Sequence, residues 1–316
     1  MNKITFLAFA DLQHYPGKFY TQSEERLEKI KQSAIENNVD FVVQLGDFSH
    51  GAGRYTDVND ILNSFPMKVY NVFGNHEFDR SSYKSALEGF GLDNGYYFFD
   101  KGGFRFIVLD FNAFVIDGKR YHYSNGNQYK KAPMASAIAS CGKEQLEWLE
   151  KTIMDSQYPC VIFAHHSLER FTNGLSAEEN EMIWQMLDRV NSDKQRVLMA
   201  INGHHHRDNL RILKNIAFFD LNSVATDWVG ESYSHDLFPK KLAKKYDLLP
   251  CTVVRNDPIF AIITLGDDGS IDIVGNKTDY FMGIDRKKIG APLTDGAGRP
   301  DTCEVLSCSI KINMKK

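Results

Sequence analysis

The chain has 316 residues, of which 43% are hydrophobic, and its 37 basic and 41 acidic residues give a formal net charge of -4 at pH 7. That apolar content is ample for a substantial core, so the sequence predicts a globular protein of one large or two ordinary domains. The slightly acidic balance excludes a strong overall attraction to long nucleic acids or to an anionic membrane, so an anionic substrate must be attracted locally.

The N-terminal residues predict a strand rather than a targeting segment. Residues 1–10 hold one lysine and a short apolar run that leads directly into Asp11, without a small-residue cleavage site and without the length to cross a membrane. We therefore expect a cytoplasmic protein that does not associate with membranes. The cysteines are odd in number and scattered, so we expect reduced structural thiols, although Cys303 and Cys308 are close enough in sequence to bridge.

Apolar runs alternate with segments of helical spacing through the first eighty residues. Strands are predicted at residues 4–10, 41–45 and 67–73, and helices at residues 23–38 and 58–62. Each predicted strand ends in a polar loop. This alternation favours a layered α/β fold whose parallel strands deliver side chains at their carboxyl ends.

Helices and strands are also predicted in the rest of the chain. The patterns predict hairpins at residues 96–109 and 260–274 and helices at residues 143–154 and 177–190. Single strands are predicted at residues 160–164, 197–201 and 217–221, and a final edge strand at residues 310–314. Lysines cluster at residues 240–245, and we interpret them as a solvated helix face rather than a nucleic-acid patch. The sequence shows no interdomain linker and no internal repeat, so residues 1–316 are predicted to form a single domain. Its motif-bearing core is predicted at about 1–275 and a C-terminal extension at about 276–316.

One long connection, residues 111–140, has no clean period. We expect a surface excursion there, with a loop that covers a substrate as the alternative. Under that alternative Tyr121 and Tyr123 would be substrate contacts, and Trp228 and Tyr233 would be further candidates for stacking on a base. Ordinary loop packing is the competing interpretation for all four residues.

Polar side chains recur at the ends of five predicted strands. The candidates are Asp11 and Gln13, Asp47, Asn75 and His76, His165, and His204 and His206. Each residue alone would be explained by a turn or a helix cap, but independent structural needs would not place five such clusters so regularly. Excluding His76, the set has two carboxylates, two amides and three imidazoles, which suit Mn, Fe or Zn better than Cu(I), and seven ligands indicate two ions.

Taken together, these motifs resemble those of the calcineurin-like metallophosphoesterase superfamily, in order and with similar intervals. The motifs are Asp11-x-Gln13, Gly46-Asp47, Gly74-Asn75-His76-Glu77, His165 and Gly203-His204-x-His206, and the resemblance covers roughly residues 4–223. It implies a four-layer α/β fold in which two mixed β-sheets pack face to face and are flanked by helices. A dinuclear metal centre would lie on the loops at one edge.

The resemblance also implies a role for each residue. Asp11, Gln13 and His206 would hold one divalent ion, Asn75, His165 and His204 the other, and Asp47 would bridge them. His76 would be the catalytic residue that contacts the phosphoryl group or protonates the leaving oxygen, while His166 and His205 would be non-ligands near the rim. A hydroxide that bridges the ions would attack a phosphodiester, pyrophosphate or phosphomonoester.

Two positions depart from the family pattern. Many members have histidine where this chain has Gln13, and because an amide oxygen is harder than imidazole we expect a bias toward Mn over Fe or Zn. The Asp-x-Gln opening is similar to that of the manganese-dependent ADP-ribose and CDP-alcohol diphosphatase branch. The other departure is His50, where members often have Asp or Asn, so either another group orients His76 or His76 acts as an imidazolium that contacts phosphate.

The leading hypothesis is a phosphohydrolase for a small phosphorylated substrate, with a nucleotide left open and long nucleic acid not expected. The alternative is a non-catalytic metal-binding scaffold of the same fold, as in the retromer subunit that resembles this family. Such scaffolds usually lose ligands, whereas all seven ligand positions are filled here. The sequence does not indicate the oligomeric state.

Overall fold

A computed structural model describes residues 2–126, 138–169 and 177–314 of the chain. Within these ranges the helices of more than one turn are α1 (Ser23–Glu36), α2 (Thr56–Asn63), α3 (Tyr83–Phe90), α4 (Lys143–Met154), α5 (Ala177–Val190) and α6 (Lys240–Lys245). The strands form four sheets, two large and two small.

The first large sheet contains β1 (Lys3–Phe9), β2 (Phe41–Gln44), β3 (Val69–Asn71), β15 (Ala261–Gly266), β16 (Ser270–Gly275) and β17 (Cys308–Lys311). Its spatial order is β17-β16-β15-β1-β2-β3, with β1, β2 and β3 parallel and the other three pairings antiparallel. The edge position of β17 agrees with the predicted final edge strand. The sheet is therefore mixed, as expected.

The second large sheet contains β4 (Tyr97–Lys101), β5 (Phe104–Val108), β9 (Cys160–Phe163), β10 (Val197–Asn202), β11 (Asn209–Leu213) and β12 (Ile216–Asp220). Its order is β11-β12-β10-β9-β5-β4. The four central strands are parallel, whereas β4 and β11 run antiparallel at the edges. A two-stranded sheet joins β13 (Thr226–Trp228) to β14 (Thr252–Val254).

Alternate residues of β1 show how the layers pack. Ile4, Phe6 and Ala8 lie in the core between the two large sheets, where the ring of Phe6 is 5.6 Å from that of Phe163 on β9. Leu7 and Phe9 face the opposite side and pack against α1 and α2. Helices α4 and α5 cover the outer face of the second sheet in the same way. The result is the predicted order of layers, helices, sheet, sheet and helices.

The long connection is more structured than predicted. Its described parts contain β6 (Ala113–Ile116), β7 (Lys119–His122) and β8 (Ile138–Ala139), which form a sheet in the order β7-β6-β8. The sequence patterns predicted no strands in these segments, because cross-strand pairing is not visible in so short an alternation. Residues 127–137 lie outside the described residues, so the covering-loop alternative is not addressed there.

Other expectations concern the surface and the thiols. All five cysteines are free. The lysines of α6 are exposed, as expected for a solvated helix face. Across the described ranges, no helix is long and apolar enough to span a lipid bilayer.

The contact between the large sheets generates a stability prediction. We expect Phe6→Ala to lower the free energy of unfolding by about 3–5 kcal/mol, because it opens a cavity among the rings of Phe41, Phe106 and Phe163. Phe98→Ala is the matched control, since Phe98 is 44% exposed, and should cost less than about 1 kcal/mol. Urea unfolding followed by circular dichroism measures both, and equal losses would contradict this account of the core.

Candidate functional site

The polar clusters predicted from the sequence come together where the parallel strands of both large sheets end. Asp11 and Gln13 follow β1, Asp47 follows β2, and Asn75 and His76 follow β3. From the second sheet, His165 follows β9, and His204 and His206 follow β10. Since the sheets pack face to face, their carboxyl ends meet at one edge, and the eight side chains converge there.

The backbone of this edge is strained. Several candidate ligands adopt left-handed φ angles that non-glycine residues rarely occupy, namely Asp11 (57°), Gln13 (55°), Asp47 (51°), His204 (68°) and His206 (55°). Each such residue costs about 1–3 kcal/mol and persists only where the surrounding structure enforces it. Strain of this kind concentrates at functional sites, and here it coincides with the residues predicted to bind metal.

Asp47 lies between the two groups of candidate ligands. Its Oδ2 accepts a hydrogen bond from Nε2 of Gln13 at 2.9 Å and lies 3.2 Å from Nε2 of His165. Its Oδ1 accepts the backbone N–H of His76 at 2.8 Å. The carboxylate therefore contacts one candidate from each predicted ion site, and both its oxygens point into the cluster.

Asp11 and the histidines complete the cluster. Oδ1 of Asp11 is 3.2 Å from Nε2 of His206, and Oδ2 accepts the backbone N–H of His204 at 3.0 Å. Nδ1 of His204 lies 3.3 Å from Nε2 of His165. The candidate ligand atoms of Asp47, His165 and His204 all lie within 4.8 Å of one another, which is close enough to share an ion.

Nearby carboxylates favour the protonated form of two of the three candidate histidine ligands. Burial alone would lower the pKa of His165, but Asp47 outweighs it and raises that pKa to about 9. His206 behaves in the same way, because Asp11 and Asp227 outweigh burial and raise its pKa to about 9. Burial and the neighbouring histidines hold the pKa of His204 well below its usual value. The carboxylates thus attract positive charge to this edge of the sheets.

Two buried oxygen atoms fit metal ligation. Oδ1 of Asp11 and Oδ1 of Asn75 are buried and accept no hydrogen bond, which is rare for such atoms in proteins. Both belong to predicted ligands. Carboxylate, amide and imidazole donors together suit a hard or borderline divalent ion.

Gln13 needs one adjustment to act as a ligand. Its Nε2 faces Asp47, and its Oε1 lies 2.8 Å from Nε2 of His50. A half-turn of the amide, which exchanges two groups of nearly equal size, would direct Oε1 beside Asp47 and Nε2 toward His50. His50 can accept from that amide, because its other nitrogen, Nδ1, lies 2.8 Å from a carboxylate oxygen of Asp79.

Asp79 also holds His76, the predicted catalytic residue. Nδ1 of His76 and Nδ1 of His50 both lie 2.8 Å from Oδ2 of Asp79. Burial would lower the pKa of His76, but Asp47 and Asp79 outweigh it and raise the pKa to about 10. The sequence interpretation missed Asp79, although its position three residues after His76, just past the short helix His76–Phe78, was a usable signal.

Glu77 organises the loops from within. Its carboxylate is fully buried and accepts backbone N–H groups of Asp47 (2.8 Å), Ser49 (3.0 Å) and Gly74 (2.6 Å). It thereby joins the loop after β2 to the loop after β3. Burial and the charge of Asp47 raise its pKa to about 7. The sequence contained Glu77 within a motif but gave no indication of this role.

The C-terminal segment supports the histidines through arginines. Asp227 lies 3.5 Å from Nδ1 of His206 and accepts hydrogen bonds from Arg207 (3.0 Å) and from Nε of Arg286 (2.8 Å). Arg299 donates to Asp220 at 2.6 Å. Because the Asp227 carboxylate lies beside Nδ1 of His206, Nε2 of the same ring faces Asp11, which is the orientation that metal ligation requires. No motif pointed to this network, because its members are distant in sequence.

The remaining candidates lie beside the cluster. His166, expected near the rim, is buried with its ring 4.4 Å from that of His204, and His205 lies 3.3 Å from Asp220. The rings of Tyr121 and Tyr123 lie 5.5 and 5.7 Å from that of Phe114. Both tyrosines pack in a hydrophobic cluster, and their predicted role as substrate contacts stays a prediction.

Comparisons with known proteins are consistent with this geometry. A sequence model described as calcineurin-like phosphoesterase matches residues 4–208. A sequence comparison with curated proteins finds no match. Among solved structures, the chain is similar to a dimetal phosphatase from Danio rerio, with 18% identity and a TM-score of 0.63 over 99% of this chain and 100% of that chain.

A second solved structure is similar over the whole length of this chain. It is GAP50, the anchor in the inner membrane complex of Plasmodium, with 14% identity and a TM-score of 0.55 over 100% of this chain and 90% of that chain. At such identities, both likenesses show the fold alone.

Close packing around Gly203 provides a test of the site. A Cβ atom at this position would lie 2.6 Å from Oδ2 of Asp11 and 2.8 Å from Cβ of Ala10. We expect Gly203→Ala to displace Asp11, to lower stability by about 1–3 kcal/mol and to reduce the divalent metal retained after dialysis. Gly296→Ala is the control, because its Cβ would meet nothing within 4 Å. Unchanged metal content in Gly203→Ala, measured by plasma mass spectrometry, would contradict the placement of Asp11 in the metal site.

Proposed function

The chain belongs to the calcineurin-like phosphoesterase family, and we propose that it is a phosphohydrolase that uses two divalent metal ions to cleave a phosphodiester, pyrophosphate or phosphomonoester of a small molecule. Family membership supports metal-dependent hydrolysis of phosphoric esters. The observation that carries the proposal further is the pair of buried oxygens, Oδ1 of Asp11 and Oδ1 of Asn75, that accept no hydrogen bond within one cluster of ligand residues.

The proposed ligands divide into two sets around Asp47. Asp11, Gln13 and His206 would hold one ion, and Asn75, His165 and His204 the other. The contact from Asp11 to His206 and the contact from His165 to His204 support this division. When bound, the ions would supply positive charge for the phosphoryl oxygens and a hydroxide nucleophile near neutral pH. We propose Mn as the ion, because two amide oxygens among the ligands favour a hard cation.

His76 acts on the leaving group in this proposal. Its side chain is 26% exposed, its Nδ1 is held by Asp79, and its Nε2 lies 3.9 Å from Oδ2 of Asp47. The imidazolium donates the proton on Nε2 to the oxygen that leaves phosphorus, and the neutral ring then regains a proton from water. A general acid of this kind typically contributes about a hundred- to ten-thousand-fold.

We also propose a cytoplasmic location, which the five free cysteines support, since reduced thiols are typical of that compartment. The alternative of a non-catalytic scaffold gains no support from the site. All the candidate ligand positions hold residues that can bind metal, and His76 is held in place by Asp79.

Replacement of Asp47 tests the function directly. Asp47→Asn removes the carboxylate whose Oδ2 contacts Gln13 of one proposed ligand group and His165 of the other, so we expect turnover to be abolished and metal retention to weaken. The assay uses metal-stripped protein resupplied with Mn and three substrates: an aryl phosphomonoester, an aryl phosphodiester and ADP-ribose. Full activity in this variant would refute the bridging role.

The same panel separates the candidate functions. Cleavage that depends on Mn and is lost in Asp47→Asn supports the enzyme, and the preferred compound selects among monoesterase, diesterase and diphosphatase. No cleavage together with no bound metal would support the scaffold.

A second prediction concerns Asp79. We expect Asp79→Asn to lower kcat by roughly ten- to a hundred-fold while two metal ions remain bound, because the carboxylate orients His76 and is no proposed ligand. The loss should be larger for an alkyl than for an aryl leaving group, since only the alkyl oxygen needs a proton to leave. Asp93→Asn, at an exposed position, serves as control. Equal losses for both leaving groups would assign His76 to phosphoryl contact instead.

A further inference from the structure

Three side chains beside the proposed dinuclear centre form a second cluster whose spacing suits a metal ion. His50, His76 and Asp79 each offer one ligand atom, and these three atoms all lie within 4.8 Å of one another. Nδ1 of His50 and Nδ1 of His76 each lie 2.8 Å from Oδ2 of Asp79. None of the three residues belongs to the seven ligands proposed for the dinuclear centre. The cluster is therefore a candidate site for a third ion.

The contacts of Asp79 leave one of its oxygens without a partner. Both imidazole nitrogens approach Oδ2, whereas Oδ1 is buried and accepts no hydrogen bond among the described residues. Two donors would satisfy a carboxylate better if each bound a different oxygen, and a buried oxygen without a partner is rare. The same observation marks Asp11 and Asn75 in the proposed dinuclear centre. It indicates that Asp79 has a further partner that comes from outside the chain.

The two imidazole rings are held in fixed orientations. The side chain of His50 is only 5% exposed, and its ring stacks on that of Tyr15 at a centroid distance of 4.5 Å. The ring of His76 lies 4.2 Å from that of His50. Because little side-chain freedom remains to be lost, such a cluster is organised in advance for an ion. The side chains of His76 and Asp79 are 26% and 16% exposed, so an ion can enter from solvent.

The donor set favours zinc. Two imidazole nitrogens and one carboxylate oxygen are the donors of zinc sites that keep a fourth position open to water. Tetrahedral bonds of about 2.0–2.2 Å would separate the ligand atoms by roughly 3.3 Å, so each contact to Asp79 needs to widen by only about half an ångström. The pair of His206 and Asp11 already has a separation of 3.2 Å. Since this cluster has no amide oxygen, it prefers a softer ion than the dinuclear centre does.

We propose that His50, His76 and Asp79 bind a third divalent ion, zinc, which inhibits the enzyme by occupying Nδ1 of His76. Only the inhibition rests on the proposed function, because the binding of zinc depends on the cluster alone. Zinc takes the place of the proton on Nδ1, so the ring can no longer become an imidazolium, and its Nε2–H is a much weaker acid. His76 then fails to protonate the oxygen that leaves phosphorus.

The third ion also acts on Gln13 through His50. When Nδ1 of His50 binds zinc, Nε2 carries the proton and donates it to Oε1 of Gln13, which lies 2.8 Å away. This bond holds Oε1 toward His50, whereas ligation by Gln13 requires Oε1 beside Asp47. The site depends on the residue at position 50, where family members often have Asp or Asn, so it is built on one of the departures from the family pattern.

A zinc count tests the site. The metal-stripped full chain and its variants His50→Asn and Asp79→Asn are dialysed to equilibrium against micromolar free zinc, and bound zinc is measured by plasma mass spectrometry. We expect three ions in the wild-type chain and one ion fewer in each variant. The control is His235→Asn, because the ring of His235 packs beside Phe238 outside the cluster. This variant should keep the count of the wild-type chain.

Equal counts in the wild-type chain, His50→Asn and Asp79→Asn would overturn the proposal, because the third ion would then be absent or bound elsewhere. If His50→Asn loses more than one ion through its contact with Gln13, the count in Asp79→Asn decides. A difference of one ion supports the site even in a chain whose dinuclear centre binds fewer than two ions. Failure of the inference is therefore distinguishable from failure of the proposed function.

An activity assay tests the inhibition. Excess zinc is added to the Mn-loaded wild-type chain and to Mn-loaded His50→Asn, and each protein is compared with itself without zinc on an alkyl and an aryl phosphodiester. Exchange of zinc for Mn in the dinuclear centre would affect both proteins. We expect the wild-type chain to lose roughly tenfold more activity than His50→Asn, and more on the alkyl ester, whose leaving oxygen needs a proton. Equal losses in both proteins would overturn the inhibitory role.

Discussion

The structure depends on the burial of Asp47 at the point where two sheets meet. A buried carboxylate is unfavourable unless hydrogen bonds or positive charges compensate it. The chain surrounds Asp47 with a backbone N–H, the Gln13 amide and an imidazole whose pKa it raises. Because the Asp11 carboxylate lies in the same cluster, with its Oδ1 3.2 Å from Nε2 of His206, the local charge is more negative than one carboxylate alone would make it. This excess of negative charge favours the binding of cations at the edge where the two sheets meet.

The same constraint accounts for the strain in the loops. To direct Asp11, Asp47 and His206 into one small volume, the backbone turns sharply straight after strands that are held rigid in the core. Left-handed φ angles at these residues are stabilised by bonds such as Asp11 N–H to the carbonyl of Gly46 (3.0 Å) and Gln13 N–H to that of Asp47 (2.8 Å). Packing of the fold therefore stabilises the strained loops that position the ligands. The hydrophobic contact between the sheets, which includes Phe6, contributes to this stabilisation.

Local patterns in the sequence were sufficient for the elements that carry periodic apolar residues. The helices predicted at residues 143–154 and 177–190 coincide with α4 and α5, and the strand ends placed the polar clusters at one edge. The strands that were missed are short: β11 pairs with β12, and β6 pairs with β7, each across a tight turn, and their alternation of apolar residues is too brief to recognise. Other missed contacts join residues that are distant in sequence, such as Asp227 and Arg286, which contact each other across 59 positions. The periodicity of apolar residues indicates the secondary structure of a segment, but it does not show which distant residues that segment contacts.

Position 50 shows how a site can keep its geometry when one residue changes. Family members often have a carboxyl or amide side chain there, and this chain has a histidine, so a carboxylate must reach His76 from elsewhere. Asp79 does so, and it binds His50 with the same oxygen. His50 in turn contacts Gln13, the other departure from the family pattern. The two departures thus lie in one continuous chain of hydrogen bonds, from Asp79 through His50 to Gln13, so a change at either position alters the contacts of the other.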